Sequence, residues 1–509
     1  MTDWTKTEIE KFGSAVSQVI AQHWSRLEEI KVFPDITPHQ VEEVLTSAVP
    51  HAGSDPHEVL NEFIEKVLPY CMTIPSPNYY GLINPTPTVM SIFADALASA
   101  LNQNVGGWSQ SPSATTVEKQ VIQWLCQLVG YDQDAFGTFT SGGTMANITG
   151  LKMALHAKLP TVAEQGLISI GTPVIFYGSE EAHFSIDRAA DLLGVGRANV
   201  RKIRADAKFK IDVGELARSI QHDLQAGLCP CAIVAIAGTT SSGNVDPLDE
   251  LADVAERFGL WLHVDAAYGG GAILSQIVRS LFEGLNRADS IAIDPHKWFF
   301  APFDAGVILA KKKQSLRDTF LLRPAYIPQK SGVTGEEVLN FFQYGVQGSR
   351  RFSALRVWMS LKHLGTDWYA QVVDRQIGLC HHLAKLVEGH PDFQALSPVE
   401  LGIFCFRYFP ASWQQEFDHA GGTRRQEINR LLDEINLRIQ TLVEQSGKAW
   451  FSTTILNGVR ALRINVLSYL TRQEHIDRLF SLIVDKAAVA CSQLQSEVDV
   501  GAGRLELNE

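Results

Sequence analysis

Between residues 137 and 310 the chain repeats one pattern: a short apolar run, a helix-length stretch, then another apolar run. The runs fall at 137–140, 174–177, 232–237, 261–264, 290–293 and 305–310. Helical periodicity fills 143–158, 185–193, 213–226 and 248–258 between them. A strand that is apolar on both faces needs cover on both. This alternation therefore predicts an α/β domain whose mostly parallel sheet is sandwiched between helices. In such a fold ligands lie outside the carboxyl ends of the strands, so the residues just after each run are the ones to read for chemistry.

Two of those places carry complementary groups. His263-Val264-Asp265-Ala266-Ala267-Tyr268-Gly269 puts an acid at the end of one run, and Asp294-Pro295-His296-Lys297-Trp298 puts a lysine after the next. A lysine amine condenses with an aldehyde. A carboxylate pairs with a protonated pyridine nitrogen and keeps that ring electron-poor. Together they predict pyridoxal 5'-phosphate as cofactor. Upstream, Phe139-Thr140-Ser141-Gly142-Gly143-Thr144-Met145-Ala146-Asn147 lies between a strand and a helix. Gly142 and Gly143 would let backbone N–H groups approach a phosphate, with Ser141 and Thr144 adding hydroxyl donors. His183 offers a flat imidazole to stack on the pyridine ring, and Ala267 is small enough to leave an apolar floor opposite. Thr240, in a small hydroxyl-rich turn, is placed to bond the ring substituents or Asp265. Asp246 reads most simply as the N-cap of the helix at 248–258.

A chain of 509 residues exceeds one ordinary core. The expected parts are an N-terminal helical segment (1–87) packing on a partner subunit, a large domain (88–365), a small α+β domain (366–490) and a tail (491–509). The net charge of −12 argues against a nucleic-acid partner. Seven cysteines without paired CxxC motifs, and fifteen histidines without ligand spacing, predict free thiols and no metal. No basic and apolar leader opens the chain, and no stretch reaches the roughly 18 apolar residues of a membrane helix. A cytoplasmic protein with no membrane partner is the expectation.

In this order and spacing the motifs resemble the pyridoxal-phosphate-dependent group II amino-acid decarboxylases, the family of aromatic-L-amino-acid, glutamate and 2,4-diaminobutyrate decarboxylases. The likeness runs from about Pro75 to Trp358. It implies a fold-type I (aspartate aminotransferase-like) homodimer that decarboxylates an L-amino acid. It implies that Lys297 carries the cofactor with His296 beside it, that Asp265 partners the pyridinium, that His183 stacks on the ring, and that Ser141 and its glycines hold the phosphate. Tyr326 matches a loop tyrosine that protonates the substrate carbon. Phenylalanine there accompanies aldehyde synthases, so Tyr326 implies simple decarboxylation. Asp294 departs from the asparagine of the aromatic enzymes and would repel phosphate unless turned away or protonated. Arg350-Arg351 match a double-arginine motif and read as ion-pair partners at the dimer interface. Gly106 and Trp108 stand where those enzymes lend an aromatic across the dimer, and Tyr80, Ile83 and Pro85 would form a second pocket wall. The expected substrate is an aromatic or large apolar amino acid, with 2,4-diaminobutyrate or another basic or acidic amino acid as the alternative. An aldehyde synthase, a carbon–carbon lyase and a non-catalytic cofactor-binding protein are the remaining rivals.

Overall fold

A computed structural model describes residues 4–322, 330 and 334–505, with side chains through residue 494. The chain divides into two compact units. The larger comprises Ile83–Ala384 with Ser397–Cys405, and the other gathers Met1–Leu82, Lys385–Leu396 and Phe406–Glu509.

The larger unit is built on seven strands: β1 (Phe136–Thr140), β2 (Val174–Ser179), β3 (Val200–Ile203), β4 (Cys229–Ile236), β5 (Trp261–Ala266), β6 (Ser290–Ile293) and β7 (Gly306–Ala310). Their order is β1-β7-β6-β5-β4-β2-β3. β2 pairs in parallel with β3 and β4, β4 with β5, and β5 with β6. β7 runs antiparallel to both β1 and β6, so it alone is reversed. β1, β2, β5, β6 and β7 are buried along their whole length, as strands covered on both faces must be. The helices follow from local signals. Asp212 accepts the Glu215 N–H at 2.8 Å and caps Val213–Gln225, whose Leu216 and Ile220 turn inward at helical spacing. The strand β3 was not anticipated: it is four residues long at the sheet edge.

Asp246 corrects its expected role. The helix Leu248–Phe258 is preceded by Pro247 and has no side-chain cap. Asp246 instead lies buried and accepts the N–H groups of Ile211 (2.9 Å) and Ile236 (2.8 Å). Burial pushes its pKa up to about 7 against those bonds. The helix Ala354–Glu388 breaks at Gly365 (φ 72°), the place expected for a domain boundary, yet the larger unit continues to Ala384.

The other unit contains the helix Lys6–Ser25, opened by a capping box between Thr5 and Glu8, and the long helices Gly422–Ser446 and Gln473–Leu505. A second sheet has β8 (Phe393–Ala395), β9 (Ile403–Tyr408), β10 (Ser452–Leu456) and β11 (Val459–Asn465) in the order β10-β11-β9-β8, and of β9 this unit holds the part from Phe406 on. Tyr80 is threaded into this unit: its N–H donates to the Trp450 carbonyl at 2.8 Å and its own carbonyl accepts from Asn465 N–H at 2.9 Å. Tyr79 stacks on the Trp450 indole with centroids 5.6 Å apart. Among the described residues no helix is long and apolar enough to cross a membrane, and no cluster of His, Cys, Asp or Glu could hold a metal ion.

Candidate active site

The ends of five strands meet as the fold predicts. β1 runs into Ser141-Gly142-Gly143, β2 leads to His183, β4 to Thr239-Thr240, β5 ends with Asp265-Ala266, and β6 is followed by Lys297. Asp265 and Lys297 come from adjacent parallel strands.

Asp265 is buried and doubly bonded. Its Oδ1 accepts the Ala267 N–H at 3.1 Å and its Oδ2 accepts from Asn147 Nδ2 at 2.7 Å. Each oxygen keeps a second lone pair for another donor. His183 is half-buried, with Nδ1 2.8 Å from Ser185 Oγ and its ring 4.1 Å from that of Phe184. Burial lowers the His183 pKa. The charges of Asp265 and Asp294 raise it and that of Lys297 lowers it, so all four groups share one electrostatic neighbourhood.

Lys297 Nζ lies 3.0 Å from Asp294 Oδ2, and His296 Nε2 lies 3.6 Å from the same oxygen. Asp294 is thus turned toward two basic groups. Its Oδ1 is buried with no hydrogen-bond partner among the described residues. His296 Nδ1 is 2.6 Å from the Ala305 carbonyl, and burial lowers the pKa of this imidazole.

The loop after β1 has the form of an anion cradle. Gly142 has φ 139°, a conformation L side chains avoid. A Cβ on Gly143 would come within 2.8 Å of Asp294 Oδ2 and 3.0 Å of the Ala267 Cβ. The helix Gly143–Lys158 begins there without a side-chain cap, so its first N–H groups are free of one, and Ser141 is exposed beside them. A carboxylate able to accept, a lysine, a capless helix start with hydroxyls and a histidine: this donor set fits pyridoxal phosphate.

Ala267 is buried beside Asp265 and Gly143. Thr240 is exposed, while Thr239 is buried and bonds within its turn, Oγ1 to Ser242 Oγ at 2.8 Å. Thr144 is half-buried on the first helical turn. Gly106 is buried, its carbonyl accepting the Phe342 N–H at 3.0 Å. Trp108 lines a cavity of about 330 Å³ with Thr115, Lys119, Thr334, Glu336 and Leu339, and none of Lys297, Asp265 or His183 lines it. Pro85 is buried and Ile83 half-buried in the larger unit. Tyr80 is wholly buried in the other, its phenol without a hydrogen-bond partner among the described residues. Tyr326 lies outside the described residues.

Arg350 forms a buried ion pair with Glu118, and the two grip Phe139. Arg350 Nη2 donates to the Phe139 carbonyl at 2.9 Å, while Glu118 accepts the Phe139 N–H at 3.3 Å. Arg351 pairs with Asp95 at 3.0 Å. Both pairs lie within one chain. Asn147, Ser185, His263 and Ser290 are not singled out by the sequence; Asn147 bonds Asp265 and Ser185 bonds His183 directly, while His263 bonds Asn147 and Ser290 bonds His263. The sequence does hint at Asn147, which lies at the end of the glycine-rich run.

Comparison with known proteins agrees with this geometry. The family profile described as the pyridoxal-dependent decarboxylase conserved domain matches residues 38–409. An aromatic-L-amino-acid decarboxylase of Bacillus atrophaeus is 33% identical over 470 residues, covering 92% of this chain and 93% of that protein. A phenylacetaldehyde synthase of Arabidopsis thaliana is 26% identical over 487 residues, covering 94% and 96%. The crystal structure of Oryza sativa TDC with PLP and tryptamine superposes with a TM-score of 0.88 at 26% identity, over 96% of this chain and 99% of that one.

Proposed function

The chain belongs to the pyridoxal-dependent decarboxylase family, and from that premise we propose that it converts an aromatic L-amino acid into its amine and carbon dioxide. The enzyme is a pyridoxal-phosphate-dependent carboxy-lyase of the α/β fold-type I class. The observation that carries the assignment of roles is the placing of Asp265 at the end of one strand and Lys297 after the adjacent parallel one, with His183 in electrostatic reach of both. The aromatic substrate class rests on the likeness to the Bacillus enzyme.

Pyridoxal phosphate, bound through Lys297 Nζ, would supply the electron sink for loss of the α-carboxylate. Asp265 would accept from the protonated pyridine nitrogen. Ser141, Thr144 and the backbone N–H groups from Gly143 onward would hold the phosphate. His183 would pack against the ring, and Ala267 would leave room for it. His296 supports Asp294, which steers the Lys297 amine. Tyr326, by the family resemblance, would supply the proton that replaces the lost carboxylate. Ile83, Pro85, Gly106 and Trp108, all in the larger unit, are the residues from which the substrate walls would be drawn.

Purified protein supplied with cofactor is to be incubated with phenylalanine, tyrosine, tryptophan, DOPA, 2,4-diaminobutyrate and cysteine sulfinate. Carbon dioxide and amine in equal amounts from the aromatic substrates, absent in Lys297→Ala, are expected. Release only from the basic or acidic substrates would replace the substrate class. No release with cofactor bound would overturn the reaction. Aldehyde formation is the second reading, favoured by the likeness to the Arabidopsis synthase. Tyr326 separates the two. Tyr326→Phe should shift product from amine toward aldehyde, and an unchanged ratio would remove Tyr326 from the mechanism.

A homodimer working in the cytoplasm completes the proposal, the N-terminal segment 1–87 packing on the partner. Val89, Phe93, Leu97 and Leu101 support the dimer: they recur every four residues on one helix and are 41–56% exposed. The seven free cysteines support a reducing compartment.

A further inference from the structure

Behind Asp265 lies a line of buried polar groups that the proposed chemistry does not use. Trp261 Nε1 is 2.9 Å from Ser290 Oγ, and Ser290 Oγ is 2.9 Å from His263 Nδ1. His263 Nε2 is 2.9 Å from Asn147 Oδ1. Asn147 Nδ2 reaches both Asp265 Oδ2 (2.7 Å) and Ser185 Oγ (2.9 Å). Ser185 Oγ in turn lies 2.8 Å from His183 Nδ1, which also receives the Ser185 N–H at 3.3 Å. Asn147, Ser185, His263 and Ser290 are all at most 1% exposed.

The direction of every bond in this line follows from its ends. Asp265 accepts, so Asn147 must face it with its amide nitrogen. The reverse orientation would set two oxygens 2.7 Å apart. Asn147 Oδ1 then accepts, which makes His263 Nε2 the protonated nitrogen. Burial keeps that ring neutral, its pKa pushed down to about 4. His263 Nδ1 therefore accepts from the Ser290 hydroxyl, which accepts from the indole N–H of Trp261, a group that can only donate. On the other branch Ser185 accepts from Asn147 and donates to His183 Nδ1, leaving the His183 proton on Nε2. The helix makes room for this. Gly150, one turn beyond Asn147, lies so near that a Cβ there would come within 2.5 Å of the His263 ring.

We propose that Asn147 is a positioning residue: it is the hub of a one-way hydrogen-bond chain from Trp261 that presents Asp265 to the cofactor as an acceptor and His183 with its proton on Nε2. This rests on the assignment of Asp265 and His183 to the cofactor. Asn147 acts through both without needing to touch the ring. One side chain thereby couples the two groups that would meet the pyridine from its edge and its face.

The test compares Asn147→Leu, His263→Leu, His263→Gln and Asp265→Asn by cofactor dissociation constant and visible absorption spectrum, with far-UV circular dichroism to verify folding. Asn147→Leu and His263→Leu are expected to weaken cofactor binding about tenfold to a hundredfold and to shift the long-wavelength band. His263→Gln keeps an N–H that can donate to Asn147, and it should restore the wild-type spectrum and most of the affinity. Folded His263→Leu with wild-type affinity and spectrum would overturn the proposal, as would a His263→Gln as defective as His263→Leu. If Asn147→Leu does not fold, the His263 pair decides the question. A defective Asp265→Asn beside a normal Asn147→Leu sinks the hub alone. A normal Asp265→Asn sinks the underlying assignment of Asp265 to the ring.

Discussion

His263 is a residue whose worth depends on staying uncharged. Its pKa falls from 6.5 to about 4 because burial removes the imidazolium from water, against the pull of Asp265. Between those values the folded protein binds fewer protons than the unfolded chain, so stability rises with pH there. The contribution is whole above pH 6.5 and is lost as pH falls toward 4. From neutrality to about pH 4.5 His263 should account for about 2–3 kcal/mol of acid destabilisation. His263→Gln should lose correspondingly less stability over that interval in urea melts. Equal slopes for the two proteins would show that His263 is not the titrating group. How far such residues were legible differs by kind. Asp265, Lys297 and His183 stand out because each follows an apolar run. Asn147 and His263 do not, because their bond joins positions 116 residues apart and exists only once the helix lies across the sheet. Asp246 misleads for the same reason. Its place before a helix suggests a cap, yet tertiary partners at Ile211 and Ile236 claim both oxygens.

Helix Gly143–Lys158 does two jobs, and its sequence reflects both. Its start offers N–H groups to an anion, and its body carries Asn147 and Gly150 on the side facing His263. Alanine at 150 is the better helix former by about 1 kcal/mol, yet its methyl group would lie 2.5 Å from the imidazole. Gly150→Ala should therefore lower the unfolding free energy by about 1–2 kcal/mol net, read from the urea midpoint. A gain in stability would mean that the ring yields freely. Among the strands, β1, β2, β4, β5, β6 and β7 were readable as apolar runs to within a few residues. β3 was not: Val200-Arg201-Lys202-Ile203 is too short and too charged, and Arg201 and Lys202 suit an edge that must not pair further. β10 hides for a related reason, since Ser452-Thr453-Thr454 lacks the apolar alternation that marks a half-buried strand.

At the scale of the molecule, the apolar stripe of helix Val89–Leu101 makes the proposed dimer testable. Leu97→Lys, placing a charge within the stripe, should shift the protein toward monomer in sedimentation velocity while leaving its far-UV spectrum intact. A dimer that persists unchanged would place the contact elsewhere. The alternation of strands and helices marks the larger unit, but nothing local in 1–82 announces that it shares a compact unit with the C-terminal elements. That association is made by contacts such as Trp450 with Tyr79 and Tyr80, nearly four hundred residues apart in sequence. The buried line from Trp261 to Asp265 also has a bearing on traffic through the protein. A proton relay needs every member to take up a proton as well as pass one on, and an indole nitrogen has no lone pair with which to do so. The line is therefore an insulator. Protons cannot drain from the Asp265 carboxylate through the core to Trp261 along it.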